Sequence, residues 1–363
     1  MNNFNKDIPY NDLPDLPPKA NLETPAIFKA TIRANKLLAE LKGFCQTLPN
    51  PELLLNTIVL QESKESSAIE NIVTTQDELY KATLMGDNIK NQPAKEVLQY
   101  REAMYWALEE LKNKGFIATN LIVGIMQKLR NTQDTIRKNP GTKLSNPSNE
   151  LIVYTPPEGE DIIRKKLQAL ENFMNDNELS DLDPLVKMAL IHYQFEAIHP
   201  FSDGNGRTGR ILNILYLINQ NLMGLPVLYL SKYIIENKND YYRLLREVTE
   251  TQNWHDWVLY VVNGIAQTSS TTLIKIKKIL ELKAVAEAEL KDKMGSVFTR
   301  ELNDLLFSYP YIKISVLEEI GIAKRQTASL YLQKIEECGW LSSFKLGREI
   351  YYINQKLIDV LSK

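Results

Sequence analysis

Cysteine is scarce in this chain: Cys45 and Cys338 are the only two in 363 residues, and they lie far apart. That excludes a disulfide framework and points to a reducing, cytoplasmic setting. No CxxC pair or Cys/His cluster offers a zinc site. No run of about 18 apolar residues occurs, so neither a membrane span nor a membrane partner is expected. The opening MNNFNKDIPYNDLPDLPPKA is polar and proline-rich, without a basic segment leading into an apolar run, so no signal peptide is expected. Charge of one sign is also missing. A net charge of -2 argues against whole-chain binding to nucleic acid. Internal repeats and low-complexity tracts are absent. What is present is ordinary for a globular protein, with 44% hydrophobic and 24% charged residues and length for one to three domains.

The chain begins with an arm, residues 1–22, where Pro14, Pro17 and Pro18 disfavour a helix. From about Thr24 to Leu41 the pattern is helical, with Ile27, Ile32, Leu37, Leu38 and Leu41 on roughly one face. Asn50-Pro51 opens a second helix, LLLNTIVLQESKESSAIEN, and Thr75 or Gln76 a third. Residues 94–113 form an amphipathic helix that Gly115 ends, and 119–132 are again helical. The segment 142–157, TKLSNPSNELIVYTPP, alternates around Asn-Pro-Ser-Asn and reads as a hairpin. Helices follow at 160–175 and 183–198, then a glycine-rich loop and a helix from about 206 to 221, with two more at 239–249 and 254–267. Residues 268–295 read as a connecting helix and domain boundary. The tail, 296–363, reads as three helices and the hairpin LSSFKLGREIYYI with Gly347 near its turn, a winged-helix pattern.

The chemistry concentrates in IHPFSDGNGRTGRILNIL, a helix, a tight loop and the start of a second helix. Gly204 and Gly206 allow close approach of a ligand to the backbone. Successive N–H groups at a turn entering a helix form an anion nest, which the helix dipole reinforces. Arg207 and Arg210 are three apart and share a face, as suits a polyphosphate. Asp203 is the one carboxylate of the loop, and a single carboxylate plus phosphate oxygens and water is a common way to hold Mg²⁺. His199 can act as a general base near neutral pH. The loop is not a P-loop, because GxxxxGK[ST] is absent, nor a Rossmann fingerprint, because no strand precedes it.

As a whole string, HPFSDGNGRTGR resembles the signature HPFxDGNGRxxR of the Fic family. It matches at His199, Pro200, Phe201, Asp203, Gly204, Asn205, Gly206, Arg207 and Arg210. The resemblance implies a protein adenylyltransferase that uses ATP as substrate with Mg²⁺. His199 would deprotonate a protein hydroxyl and Asp203 would hold Mg²⁺ between the α- and β-phosphates. The stretch Gly204, Asn205, Gly206, Arg207, Thr208, Gly209 and Arg210 would form the nucleotide site, with Arg207 near the β-phosphate and Arg210 on the γ-phosphate. Phe201 would anchor the loop in the core.

Family members often carry an inhibitory helix, [ST]xxxE[GN]. Here SSAIEN places Ser66, Glu70 and Asn71 in that register, at the end of a helix about 55–71. The resemblance implies that Glu70 pairs with Arg210 and withholds it from ATP. The hairpin 142–155 resembles the family's target-docking flap, with Ile152, Val153 and Tyr154 as its candidates beside the nucleotide. SKYIIENKNDYYRLL resembles the segment completing the adenosine pocket, with Tyr241 and Tyr242 as the matching pair. Thr249 stands where some relatives place an Asn, which puts that contact in doubt.

These readings combine into a mainly α fold: a Fic-type helical bundle with a small β-hairpin flap and a C-terminal winged-helix domain. The domains expected are 1–115, a catalytic core 116–267, a connecting helix 268–295 and the tail 296–363. The function expected is self-inhibited transfer of AMP to a Ser, Thr or Tyr hydroxyl of a target protein that the sequence does not name, self-modification included. Removal of AMP at the same site, and a nucleotide-sensing DNA-binding regulator, are the alternatives. The tail has nine Lys/Arg against eight Asp/Glu, with Lys324, Arg325, Lys345 and Arg348 as a local patch, so DNA and protein partners weigh equally there. A homodimer is also compatible with the sequence.

Overall fold

The fold is that of a computed structural model, which describes residues 4–48, 51, 55–85, 90–145, 151–176, 178–346 and 349–362. It is mainly helical with two small antiparallel sheets, as the sequence predicts. Helix α1 spans Pro25–Gln46, with Thr24 capping its first turn and Pro25 where a missing N–H costs nothing. Its buried stripe is Ile27, Thr31, Ala34, Leu38, Leu41 and Cys45. Ile32, expected on that face, is 70% exposed. A stripe running through Ala34 and Leu38 at helical spacing rotates position 32 outward.

A π-helical turn, Leu55–Val59, leads into α2, Leu60–Ile69. Then come α3, Gln76–Met85, and α4, Gln92–Lys114, which Gly115 ends in the left-handed conformation at φ 76°. Helix α5, Thr119–Arg130, is followed by the hairpin, reduced to β1, Leu144–Ser145, and β2, Ile152–Tyr154, with a register shift between Leu144 and Ser145. The Asn-Pro-Ser-Asn turn lies outside the described residues. Next are α6, Glu160–Asn175, and α7, Pro184–Ile198, capped by Asp183. Helix α7 is mostly apolar and buried on nearly every side, with Lys187, His192 and Gln194 buried as well. After the loop come α8, Asn205–Asn219, the short α9, Leu230–Glu236, and α10, Lys238–Thr251.

The segments 254–267 and 268–295 form one helix, α11, Trp254–Met294, about 60 Å long. Nothing between them breaks a helix. Gly264 sits inside it because a Cβ there would lie 2.6 Å from the Tyr233 ring. The C-terminal unit contains α12, Arg300–Ser308, α13, Ile314–Glu319, and α14, Arg325–Glu337. Its sheet has the order β3-β5-β4, from Tyr311–Lys313, Ser342–Leu346 and Glu349–Ile353. Strand β3 and the last helix, α15, Gln355–Ser362, are additional to the elements read from sequence. Helix α11 packs on α1 and α7 and also on the C-terminal helices α12 and α15. Gly347 and Arg348 lie outside the described residues. No described helix is long and apolar enough to cross a membrane.

The C-terminal unit also touches the N-terminal region. Tyr311 stacks on Tyr80 at 5.5 Å, and its hydroxyl donates to Asp77 Oδ1 at 2.5 Å. Tyr80 in turn accepts at its hydroxyl from Gln61 Nε2 on α2 at 3.0 Å. Tyr311→Ala is expected to lower the melting temperature by several degrees and to speed proteolytic release of the C-terminal unit, because it removes both ring contact and hydrogen bond. Tyr311→Phe, which keeps the ring, should show the smaller shift; equal shifts would show that the stack contributes nothing.

Candidate active site

His199 is the residue that ends α7. Its backbone is left-handed (φ 47°, ψ 60°), and its N–H donates to Phe195 O at 3.0 Å. The helix stops there because Pro200 cannot extend it and the chain must turn toward α8. Arg137, buried and contributed by the stretch after α5, holds this turn. Its Nε donates to His199 O at 2.8 Å, and its Nη2 donates to Pro157 O and to Ile198 O, while its backbone N–H donates to Pro200 O at 2.9 Å. Burial, reinforced by the positive charge of Arg137, pushes the His199 imidazole down to about 4. The ring is therefore neutral at pH 7 and able to accept a proton.

Beyond it, Phe201 is buried and the Asn205 amide closes the loop on itself. Asn205 Oδ1 accepts from Phe201 N at 2.9 Å and Nδ2 donates to Phe201 O at 2.7 Å. The Asn205 side chain therefore holds the loop. Gly204 is left-handed at φ 85° and opens α8. Thr208 and Gly209 face inward, and a Cβ on Gly209 would meet Glu196 Oε1 at 2.7 Å and the Phe195 ring. Gly209 thus lets α8 pack closely on α7.

Arg207 and Arg210 point to different partners. Arg207 is buried and donates to Glu96 Oε2 from α4 at 3.1 Å, with Asp203 Oδ1 at 3.8 Å. Asp203 is exposed and pairs at 2.9 Å with Arg130. Arg210 is also buried and is held three ways by α2. Its Nε donates to Ser66 Oγ at 2.7 Å, and its Nη2 donates to Ser66 O and to Glu70 Oε1, both at 2.8 Å. Glu70 lies over the first turn of α8, since a Cβ on Gly206 would come within 2.2 Å of its Oε1. A carboxylate thus sits where the helix N-terminus attracts an anion. Burial alone would raise the Glu70 carboxyl, but the charge and hydrogen bond of Arg210, with Arg207 and Lys238 behind, hold it below its ordinary value. Asn71 follows in the left-handed region at φ 63°, with Ile72 N donating to Ser67 O, which gives a reason for Asn or Gly after the glutamate.

Two of the aromatic candidates turn inward. Tyr154 is buried, donates to Ala197 O at 2.8 Å and stacks on Phe4 of the arm, so it fixes the flap's base to α7. Ile152 and Val153 are only half-buried. Tyr241 is buried, with its hydroxyl 2.9 Å from His192 Nε2, inside a cluster with Trp257 and Tyr260. Tyr242 is 46% exposed and is the member of that pair open to a ligand. Thr249 bonds Tyr193 and Leu245 O, a core role.

Sequence reasoning missed Arg137, Glu96, Arg130 and the buried carboxylate Glu62, which accepts from Ser231 N at 3.0 Å and from the Ser231 hydroxyl. It also missed Glu196, one turn before His199, whose carboxyl burial pushes up to about 7. Only Glu196 had a local signal, its place on the helix that ends at His199. Among the described residues no group of three or more His, Cys, Asp or Glu could hold a metal ion. A Mg²⁺ ion fits the site only as Asp203 allows, through one exposed carboxylate with the remaining ligands coming from phosphate and water.

Residues 28–109 match the Fic/DOC family N-terminal model, 117–217 the Fic/DOC family model, and 282–357 that of the protein adenylyltransferase SoFic-like C-terminal domain. The chain is 30% identical over 192 residues to a probable protein adenylyltransferase of Aquifex aeolicus, covering 50% of this chain and 55% of that protein. It is 30% identical over 131 residues to the protein adenylyltransferase fic-1 of Caenorhabditis elegans, 33% of this chain and 24% of that protein. The chain thus spans between about a quarter and just over half the length of these relatives. Among solved structures, a Fic family protein of Desulfovibrio desulfuricans aligns with a TM-score of 0.59 and 21% identity, covering 93% of this chain and 98% of that one. Fic-1 of C. elegans aligns at 0.54 and 20%, covering 70% and 74%. Both show a shared fold.

Arg137→Ala is expected to cost about 3 kcal/mol, because several buried carbonyls lose a charged donor. Calorimetric melting checks it, and a loss under about 0.5 kcal/mol would show the clamp to be idle. His199 itself should stay neutral well below its ordinary 6.5. Because the unfolded chain binds that proton first, acidification from about 6.5 to about 4 should lower stability at this site. NMR titration of the imidazole measures the value directly.

Proposed function

The chain belongs to the Fic/DOC family, and from that premise we propose that it is a self-inhibited enzyme transferring AMP from ATP to a hydroxyl of a protein. The Arg210–Ser66–Glu70 contact carries the self-inhibited part of this reading. In the transfer, a Ser, Thr or Tyr oxygen of the target attacks the α-phosphorus. Its proton passes to the neutral His199 imidazole, the α–β bridging bond breaks, and pyrophosphate leaves. The N–H groups opening α8, Arg207 and Arg210 offset charge on the phosphates. Mg²⁺, held by Asp203 and the phosphates, would neutralise the charge that builds on the leaving group. Glu70 opposes this arrangement twice. It engages the guanidinium meant for the γ-phosphate, and it sets a carboxylate over the first turn of α8. Phosphate and carboxylate compete for one site.

The flap edge at Ile152 and Val153 would bring the target segment to His199 by strand addition. The reverse direction, removal of AMP by a water that Glu70 orients, uses the same residues and is the second reading. Its support is that Glu70 stays ionised beside the loop.

Glu70→Gly should raise incorporation of labelled AMP, into the chain itself or into added protein, by about tenfold or more, the scale of one charge-assisted hydrogen bond. Mass analysis of the product identifies the group transferred. If removal of AMP dominates instead, the same variant loses hydrolysis of a modified protein and gains no incorporation. His199→Ala should abolish incorporation in the Glu70→Gly background; full activity of a folded double variant would sink the mechanism.

A further inference from the structure

Four charges from three parts of the chain close a ring beside the loop. Arg130 Nη2 lies 2.9 Å from Asp203 Oδ2, and Arg130 Nη1 lies 3.5 Å from Glu96 Oε2. The same Glu96 oxygen accepts from Arg207 Nη1 at 3.1 Å, and Arg207 Nη2 is 3.8 Å from Asp203 Oδ1. Glu96 is in the first turn and a half of α4, and Arg130 is the last residue of α5. Neither belongs to the signature loop.

The ring is graded in exposure. The Arg207 side chain is 2% exposed and that of Glu96 17%, whereas Arg130 is 34% and Asp203 56%. The inner pair, Glu96–Arg207, is shielded from water, so removing the carboxylate strands a buried guanidinium. The outer pair, Arg130–Asp203, lies in high dielectric and is readily exchanged for another partner. Arg130 also lies against the loop itself, because a Cβ on Gly204 would meet its Cγ at 3.4 Å. Its guanidinium therefore stands at the rim of the anion nest, parked on the carboxylate that would take the cation.

We propose that Arg130 is a further phosphate-binding residue, which leaves Asp203 for the leaving-group phosphates when a cation-bound nucleotide enters, and that Glu96 is the positioning residue for Arg207. A dication on Asp203 would repel Arg130 and compete for one of its two carboxylate partners, Glu96 being the other. The phosphate oxygens that arrive with the cation would then take the place of Asp203 opposite the guanidinium, with Glu96 Oε2 still 3.5 Å from Nη1. Glu96 does not touch the nucleotide. It accepts from Arg207 Nη1 and so fixes the guanidinium, whose Nη2 lies 3.8 Å from Asp203.

The inference rests on the nucleotide reading, and one experiment separates the two. Affinities for ATP, ADP and AMP are measured by calorimetry with Mg²⁺, in the Glu70→Gly protein with and without Arg130→Ala. Arg130→Ala should weaken ATP and ADP by about tenfold and leave AMP within about twofold, because AMP lacks the leaving-group phosphates. Arg130→Lys should recover part of the loss. Equal weakening of all three nucleotides would reduce Arg130 to a structural role, and unchanged or tighter ADP would make it only a rival of Mg²⁺ for Asp203; either overturns the proposal. Glu96→Ala should likewise weaken ATP and ADP more than AMP, and unchanged affinities would overturn its positioning role. A Glu70→Gly protein that binds none of the three would overturn the nucleotide reading together with this inference.

Discussion

A buried guanidinium cannot stand without a partner, and Arg210 is the buried guanidinium on which this molecule is arranged. Its three contacts all come from two residues of one helix, Ser66 and Glu70. That requirement explains the odd character of α2, which is polar yet buried. Gln61, Glu62, Ser63, Ser66 and Ser67 all lie inside. Gln61 meets Tyr80, Glu62 meets Ser231, Ser63 returns to Val59 O, and Ser66 meets Arg210. Helix α2 stays in place by specific polar pairing more than by apolar burial, so each of its partners bears on how firmly Glu70 is held over α8.

The catalytic side of the loop obeys a second constraint, the left-handed turn at His199. Arg137 satisfies the carbonyls that the turn exposes, and Asn205 closes the other side of the loop. The histidine is half-buried at the turn, and desolvation there, with Arg137 nearby, lowers its basicity.

Much of this was legible in the sequence, where the relevant residues are neighbours. The loop from His199 to Arg210 is contiguous, and the run from Ser66 to Asn71 follows helical spacing, so both could be found by inspection. Arg137, Glu96 and Arg130 could not, because each reaches the site from a different element and no local pattern marks them. Which way Tyr154 and Tyr241 face was not legible either. An aromatic residue next to a functional segment can face either way, and the bond from Tyr154 to Ala197 O and that from Tyr241 to His192 turned both inward. The break placed at 268 reflected a change in composition, whereas the helix needs only the absence of a breaker. Ile32 shows the limit of a one-face reading, since one alternative stripe can account for the same apolar residues.

The left-handed backbone of His199 also bears on how selection would read position 199. Few L-residues adopt φ near 47° at low cost, with Asn, Asp and His among the more tolerant. In a library of variants screened for survival, β-branched and bulky substitutions would disappear through strain in the turn, whether or not the imidazole is needed. Asn, which accepts the same backbone but offers no comparable base, is the substitution whose depletion would report on chemistry alone.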